Sequence, residues 1–471
     1  MQTKIKSIYA ALAAVSLSFF GVGFHKAWVY ACTPMFRGEV LGPFPLRTWF
    51  ELCCAIAAIA FALFALQTKH DQMRNALLPI AVWCQILSAG LLAISVICSE
   101  LSLLLCTLAC FIGACGVISM SLLWVDVYAF LNPLRVALFY SGGILLACLI
   151  NFAVQENPPL RLAILGMILP FFTVWCLKRS QLCITSEGET TGALPQKLQL
   201  LPWKALLFIA AYAFAYGVSA KVAPIAPSAI VFITMLPALI VFFSVLCSAK
   251  RFNFELIYRW AFPLMVLGFL AVAAIPNIDK GVSAALVGIS YISSEMLVVL
   301  IVCGLCYRTG ANAFWLFGII KGCQYLAKFM GLILMNFIVS HEAASQVSLI
   351  AAIIVVALIV LASVIFATER SLFSKWGAKS FTIQEDNRSA EETEPLVARI
   401  SDRVEGLAEV YDLTQRETEV LMLLARGKTV RGIGSDMFIA EGTVKAHIQH
   451  IYQKLGVHNR SELLKFLGVS S

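Results

Sequence analysis

Two sets of side chains in this 471-residue chain have types and spacings suited to chemistry on another molecule. The first lies near the end, in "TVKAHIQHIYQKLGV". Val444, Ile448, Ile451 and Leu455 recur every three or four residues, so one face of a helix there is apolar. Lys445 and Gln449 fall on the other face, near the N-terminal end. A lysine donates to guanine O6 and N7, and a glutamine bonds an adenine edge at two points. The second set is ionisable groups inside long apolar runs: His25, Lys26, Lys221, Glu295, Lys321 and Lys328. A charge at the centre of a bilayer costs about 2.5–3.5 kcal/mol and needs a partner. Helical rise of about 1.5 Å per residue brings Glu295 and Lys321 to similar depths, where they can pair. Lys321 and Lys328 share one face of their run. The bland reading is an ion pair between two helices, with His25, Lys26 and Lys221 reaching for the outer interface. The sharper one is a ligand site, and several cations in one cavity favour an anionic or carboxylate ligand.

The elements that position the C-terminal set are short helices. Thr414 and Glu417, three apart before an apolar-periodic run, form a capping box. Val420, Leu421 and Leu424 give that helix its buried face, and Gly427 suits the left-handed residue after it. A second helix, about 429–437, is capped by Thr429 and turns Ile433 and Met437 inward. The third, about 441–455, displays the polar groups. A helix, a tight turn and a helix with polar groups at its N-terminal half is the docking geometry of a helix-turn-helix.

The motifs "LTQRE" (413–417), "FIAEGTVKAHI" (438–448), "IYQKLGV" (451–457) and "NR" (459–460) together resemble the LuxR/GerE-type helix-turn-helix of bacterial transcriptional regulators. The resemblance implies a four-helix DNA-binding unit. It implies that Thr443 and Lys454 approach phosphates and that Lys445, Ala446 and Gln449 face base edges. A fourth helix from Arg460 would pair two copies through Leu463, Leu464 and Leu467. The sequence departs from the pattern at Gln415, Gly432, Gly434 and Ala440. Two glycines in so short a helix cost about 1 kcal/mol each relative to alanine.

The rest of the chain is a different material. It is 60% hydrophobic and 13% charged overall, where soluble domains carry about 25% charged residues. Apolar runs at about 7–30, 48–66, 76–97, 101–123, 136–154 and 162–177, then 205–223, 229–248, 260–276, 282–303, 314–338 and 346–367, are each long enough to cross a bilayer. The expected fold class is therefore all-α: a polytopic bundle of twelve spans, six and six, followed by a small helical domain. The expected units are 1–177, a central loop 178–204, 205–367, an acidic linker 368–395 containing "QEDNRSAEETEP", and 396–471. In the last, Leu396, Ile400, Val404 and Leu407 make a leading amphipathic helix. The six-plus-six plan resembles the major facilitator superfamily, although the loop "QTKHDQMRN" after the second span keeps little of that superfamily's signature.

Lysines and arginines concentrate in the loops that are inside if the N-terminus is inside, about thirteen against about five. Both termini are then expected in the cytoplasm, with the bundle in the cell membrane and the first span uncleaved despite its likeness to a signal peptide. Most of the fifteen cysteines fall in apolar runs and read as packing residues. Cys303 and Cys306 have a CxxC spacing but no second pair to complete a metal site. No catalytic constellation is present, so no enzyme, metal or cofactor is expected. No receiver domain precedes the tail, so its input must come through the bundle. The expected function is a membrane-bound one-component transcriptional regulator that senses a small molecule and binds double-stranded DNA as a homodimer. The alternative is a secondary transporter with a fused DNA-binding domain.

Overall fold

The computed structural model describes residues 16–186, 202–222, 227–248, 255–274, 280–340, 354–364 and, near the C-terminus, 404–466 except 405, 409, 426–427, 438, 460–461 and 464–465. Among the described residues twelve α-helices of the bundle follow one another in chain order. They are α1 (Val22–Cys32), α2 (Leu46–Gln67), α3 (His70–Ile97), α4 (Ser102–Ala129), α5 (Pro133–Val154) and α6 (Pro159–Ser186). The second six are α7 (Trp203–Val222), α8 (Pro227–Ser248), α9 (Glu255–Ala274), α10 (Lys280–Thr309), α11 (Ala313–Ser340) and α12 (Ile354–Val364). Among the described residues nine helices are long and apolar enough to cross a membrane. A two-stranded hairpin, β1 (Val40–Leu41) and β2 (Phe44–Pro45), joins α1 to α2 with Val40 opposite Pro45.

Two of the helices begin at side-chain caps that the sequence supplies. Asn132 accepts a hydrogen bond from Leu134 N at 3.0 Å, with Pro133 in the first helical position, and so starts α5. Asn312 accepts from Phe314 N at 3.0 Å and starts α11, while its amide also donates to Ala65 O at the end of α2. Prolines 79, 170, 237 and 263 lie inside helices. Such breaks are tolerated in membrane helices, whose freed backbone groups find neighbours. Large apolar side chains such as Trp83, Phe171, Trp175 and Phe337 face outward and exposed, as a lipid-facing surface requires. Where α7 meets α11 the backbones nearly touch. A Cβ on Gly331 would stand 2.3 Å from Phe214 O, so only glycine permits that approach.

The central loop starts later than the sequence suggests. α6 continues to Ser186 instead of ending near residue 177. Ser180 is buried and donates to Ser18, and Ile184 is buried too, so an inward face holds this extra length to the bundle. The start of α3 is also fixed by charge. His70 Nε2 and Arg74 lie 2.7 Å from the carboxylate of Asp126 on α4, which is almost wholly buried. The polar loop after the second span thus clamps two helices.

A second core, separate from that of the bundle, belongs to the C-terminal module. Its helices are α13 (Gln415–Ala425), α14 (Val430–Met437) and α15 (Glu441–Leu455). Val404, Val420, Leu421, Ile433, Val444, Ile451 and Leu463 are fully buried in it. Val404 and Leu407 of the leading amphipathic segment pack there, whereas Leu396, Ile400 and Gly427 lie outside the described residues. One side chain of the bundle, Tyr307 near the end of α10, packs against this core.

Candidate nucleic-acid interface and buried charge clusters

The capping box forms. Thr414 N donates to Glu417 Oε2 at 2.8 Å, and Glu417 N donates to Thr414 Oγ1 at 3.3 Å. Thr429 accepts from Gly432 N at 3.2 Å and starts α14. Gly434 has a steric reason to be glycine: a Cβ there would stand 2.9 Å from Ile439 O in the turn to α15. The cost of a glycine in that helix is the condition for a turn this tight.

α15 then presents its polar side. Thr443, Lys445, Ala446 and Gln449 are all exposed, and Val444 and Ile451 beneath them are buried. The module thus displays a helix with four solvent-facing positions at its N-terminal half, fixed from below by apolar packing. Lys454 has a different setting. Its ammonium donates to Asp412 O at 2.7 Å and to Glu417 Oε2 at 2.9 Å, so it ties the end of α15 to the start of α13. Burial alone would raise the Glu417 carboxyl, but the hydrogen bonds from Lys454 and Thr414 outweigh it and hold its pKa at about 2. Leu463 is wholly buried in the module's own core; Leu464, Leu467 and Arg460 have no described side chains.

Within the bundle, Glu295 and Lys321 pair at 2.8 Å. Lys26 joins them, 3.0 Å from the same oxygen, rather than reaching for the outer interface. Its partner is across the bundle, on α10, which gives the ammonium a better refuge than the lipid headgroups. Lys328 pairs at 2.7 Å with Glu51 on α2, and Arg47 lies 3.1 Å from the same carboxylate. Arg47 belongs to the first turn of α2, not to the loop before it. His25 is satisfied locally. The Gln85 amide donates to Nδ1 at 3.2 Å, which leaves Nε2–H to donate to Ser121 Oγ at 3.0 Å, the pattern of a neutral ring. The Lys221 side chain lies outside the described residues.

Glu51, Asp126, Arg135 and Asp436 were not among the expected site residues. Glu51 obeys the rule that singles out Glu295, an acid inside an apolar run, and was findable by it; Asp126 lies just past the run 101–123 and was not. Asp436 carried no signal. It is 1% exposed, and Arg135 at the start of α5 is 2% exposed. They lie 3.4 Å apart, 301 residues apart in the chain. Asp436 Oδ2 is also 3.3 Å from Lys428 of its own module and accepts from the Tyr307 hydroxyl at 3.3 Å. Lys428 sits over the Tyr307 ring, 5.4 Å from its centre. The Asn132 amide donates to Asp436 O at 3.5 Å. The end of α14 is therefore gripped by both halves of the bundle: Asn132 and Arg135 from the first, Tyr307 from the second.

Residues 412–467 match the family described as "Bacterial regulatory proteins, luxR family". The spore germination protein GerE of Bacillus subtilis (strain 168) is 52% identical over 50 residues, which are 11% of this chain and 68% of that protein. The transcriptional regulatory protein LiaR of the same organism is 35% identical over 94 residues, 18% of this chain and 44% of LiaR. The response regulator protein VraR of Staphylococcus saprophyticus is 40% identical over 78 residues, 16% of this chain and 37% of VraR. This chain thus spans less than half the length of the two latter proteins. The bundle is similar to a solved structure of the major facilitator superfamily proton:xylose symporter XylE. The TM-score is 0.51 at 12% identity, with 78% of this chain and 96% of that chain covered. Through its C-terminal module, the chain belongs to the luxR family of bacterial regulatory proteins, and it carries that module on a multi-pass membrane bundle with the fold of a major facilitator protein.

Proposed function

We propose that the protein is a membrane-bound one-component transcriptional regulator, in which the bundle senses a small molecule and sets the availability of the DNA-binding module. The observation that carries this reading is the grip on Asp436. A module merely tethered by its linker would share no buried ion pair with the bundle. This one shares Asp436–Arg135 and places Tyr307 against its core. In a helix-turn-helix the helix before the recognition helix crosses the DNA backbone. Here that helix is α14, so the bundle and a phosphate backbone compete for its surroundings. Docking holds the module back, and release frees it.

The remaining expectations join this proposal. The units are two six-helix halves, the first ending with α6 at Ser186 and the second running from α7 at Trp203 to about 367, with a central loop between them, a linker (368–395) and the DNA-binding unit (396–471), with twelve crossings in all. Both termini lie in the cytoplasm, and the module sits at the end of the bundle that carries His70, Arg74 and Arg135, in keeping with the bias of basic residues toward that side. Lys445, Ala446 and Gln449 read bases, Thr443 approaches phosphate, and Lys454 does so after leaving Glu417. Two modules pair through Leu464 and Leu467. The fold likeness to a symporter favours a second reading, a transporter that couples uptake to transcription, and flux into liposomes separates the two.

The test is occupancy of DNA in the cell by the full-length protein and by its Arg135→Gln variant. Release of the module should raise occupancy and make a reporter gene independent of inducer. Unchanged occupancy and a normal response would overturn regulation by docking.

A further inference from the structure

The two charge clusters inside the bundle have the same composition. In each, two cations share one carboxylate oxygen: Lys26 and Lys321 on Glu295, Arg47 and Lys328 on Glu51. Each cluster therefore holds one positive charge that no carboxylate in it matches. Unmatched charge at membrane depth is costly. Such a surplus is retained where something else supplies the missing anion.

Further observations favour a ligand between the clusters. Lys321 and Lys328 are two turns apart on α11, about 10 Å by helical rise. Gln324 lies between them. In the Arg47 cluster Arg47 Nη1 is buried without a partner, a donor that an anion would satisfy. Unsatisfied groups of this kind call for an explanation in a native fold. The lysines are also walled by rings: Lys328 stands 5.1 Å from the centre of Tyr216 and 5.8 Å from that of Tyr291, and Lys26 5.9 Å from that of Tyr140. The side chains of Arg47, Lys26 and Glu295 keep 26%, 19% and 15% of their accessible surface, so none of the three is sealed off.

We propose that the region between the two clusters binds a small organic dianion, a dicarboxylate, with one carboxylate at each cluster and its carbon chain alongside the stacked rings of Tyr216 and Tyr291. A single phosphate or sulfate is too small to meet two surplus charges about 10 Å apart. A dicarboxylate of matching length meets both. This deepens the proposed sensing role and rests on it. Lys26–Glu295 and Glu51–Lys328 each join one half of the bundle to the other. A ligand carboxylate that draws Lys26 or Lys328 from its glutamate loosens a tie between the halves.

The experiment is calorimetric titration of the purified full-length protein in nanodiscs, without DNA. The probes are α,ω-dicarboxylates from succinate to suberate, with the matching diamides and monocarboxylates as controls at constant ionic strength. At least one dicarboxylate should bind saturably, and its controls at least about tenfold more weakly, since only charged ends make charge-assisted bonds here. Lys328→Gln should weaken binding at least about tenfold, and Lys328→Arg should retain it. Glu51→Gln, which enlarges the surplus, should tighten it. The double variant Glu51→Gln/Lys328→Gln keeps the surplus through Arg47 and should bind better than Lys328→Gln alone. A site that is merely structural would lose binding in all of these together. Failure of every dicarboxylate, equal binding of the diamides, or weakening by Glu51→Gln overturns the proposal. Binding that leaves a reporter gene unmoved would instead defeat the sensing role and leave the site standing.

Discussion

Arg135 and Asp436 form a buried ion pair, 3.4 Å apart, between the first turn of a membrane helix and the last turn of a DNA-binding helix. Asp436 retains Lys428 within its own module, so undocking leaves it a partner. Arg135 loses more. Arg135→Gln should therefore free the module without unfolding it, whereas Lys428→Gln should damage the module itself. Breaking a buried pair by removing one partner costs about 3–5 kcal/mol. Limited proteolysis of the linker in membranes reads this: Arg135→Gln should release an intact C-terminal fragment faster than the parent protein does. Equal release rates would count against the clasp.

The base-reading assignment is open to a direct check. Lys445→Ala or Gln449→Ala should cost about 1–3 kcal/mol on specific DNA if the side chain makes a good base contact. Titration against operator and random duplexes at one salt concentration measures it. An equal loss on both would show a contact to the backbone instead.

Glu295 holds two lysines and should be the least replaceable member of its cluster. Glu295→Gln strands Lys26 and Lys321 together, while Lys321→Gln leaves Lys26 on the carboxylate. Thermal unfolding in detergent should rank Glu295→Gln well below Lys321→Gln. It should also place the double variant Glu295→Gln/Lys321→Gln above Glu295→Gln alone. Additive losses would mean that the charges do not act as a unit.

The C-terminal module should lose stability in acid through Glu417. Its carboxyl is held at about 2 in the fold and lies near 4.3 in an unfolded chain. A depressed carboxylate contributes stability that is complete above the unfolded value and is lost as the pH falls from about 4 toward about 2. Hydrogen exchange of α13 amides across that range should show the loss, and Glu417→Gln should flatten it. A profile that is unchanged by the substitution would assign the acid sensitivity elsewhere.

Pairing of two modules through the fourth helix is the weakest contact in the proposal, because Leu463 is spent on the module's own core. Tethering below one membrane raises the effective concentration of the pair. Leu464→Asp should abolish reporter output in the full-length protein while leaving its level in the membrane unchanged. Normal output would show that one module suffices or that the pair forms elsewhere.

Local pattern carried much of the fold and part of the site. The capping box at Thr414 and Glu417, the inward Ile433 and the outward Lys445 and Gln449 follow from spacing within a few residues, and helix periodicity is enough to place them. The depth of Glu295 and Lys321 followed from helical rise alone. What rise does not provide is how each helix is turned about its axis and which helices are neighbours. Lys26 meeting Glu295, and Glu51 meeting Lys328, depend on both, as do the clamp at Asp126 and the grip on Asp436. The fit of Gly434 against Ile439 O was hidden for a related reason: propensity records the cost of a glycine, not the approach it permits.

The grip on Asp436 works in both directions. Whatever the bundle does to the module's freedom to bind DNA, DNA must do to the bundle by the same free energy, because linkage is reciprocal. On the proposed docking, a module engaged on its operator would no longer hold Asn132, Arg135 and Tyr307 together, and the two halves would be less constrained at that end. The affinity of the bundle for the proposed ligand would then depend on whether an operator is occupied. On that reading operator DNA would retune the receptor above it, so the dose at which the gene switches would depend on how much operator the protein meets.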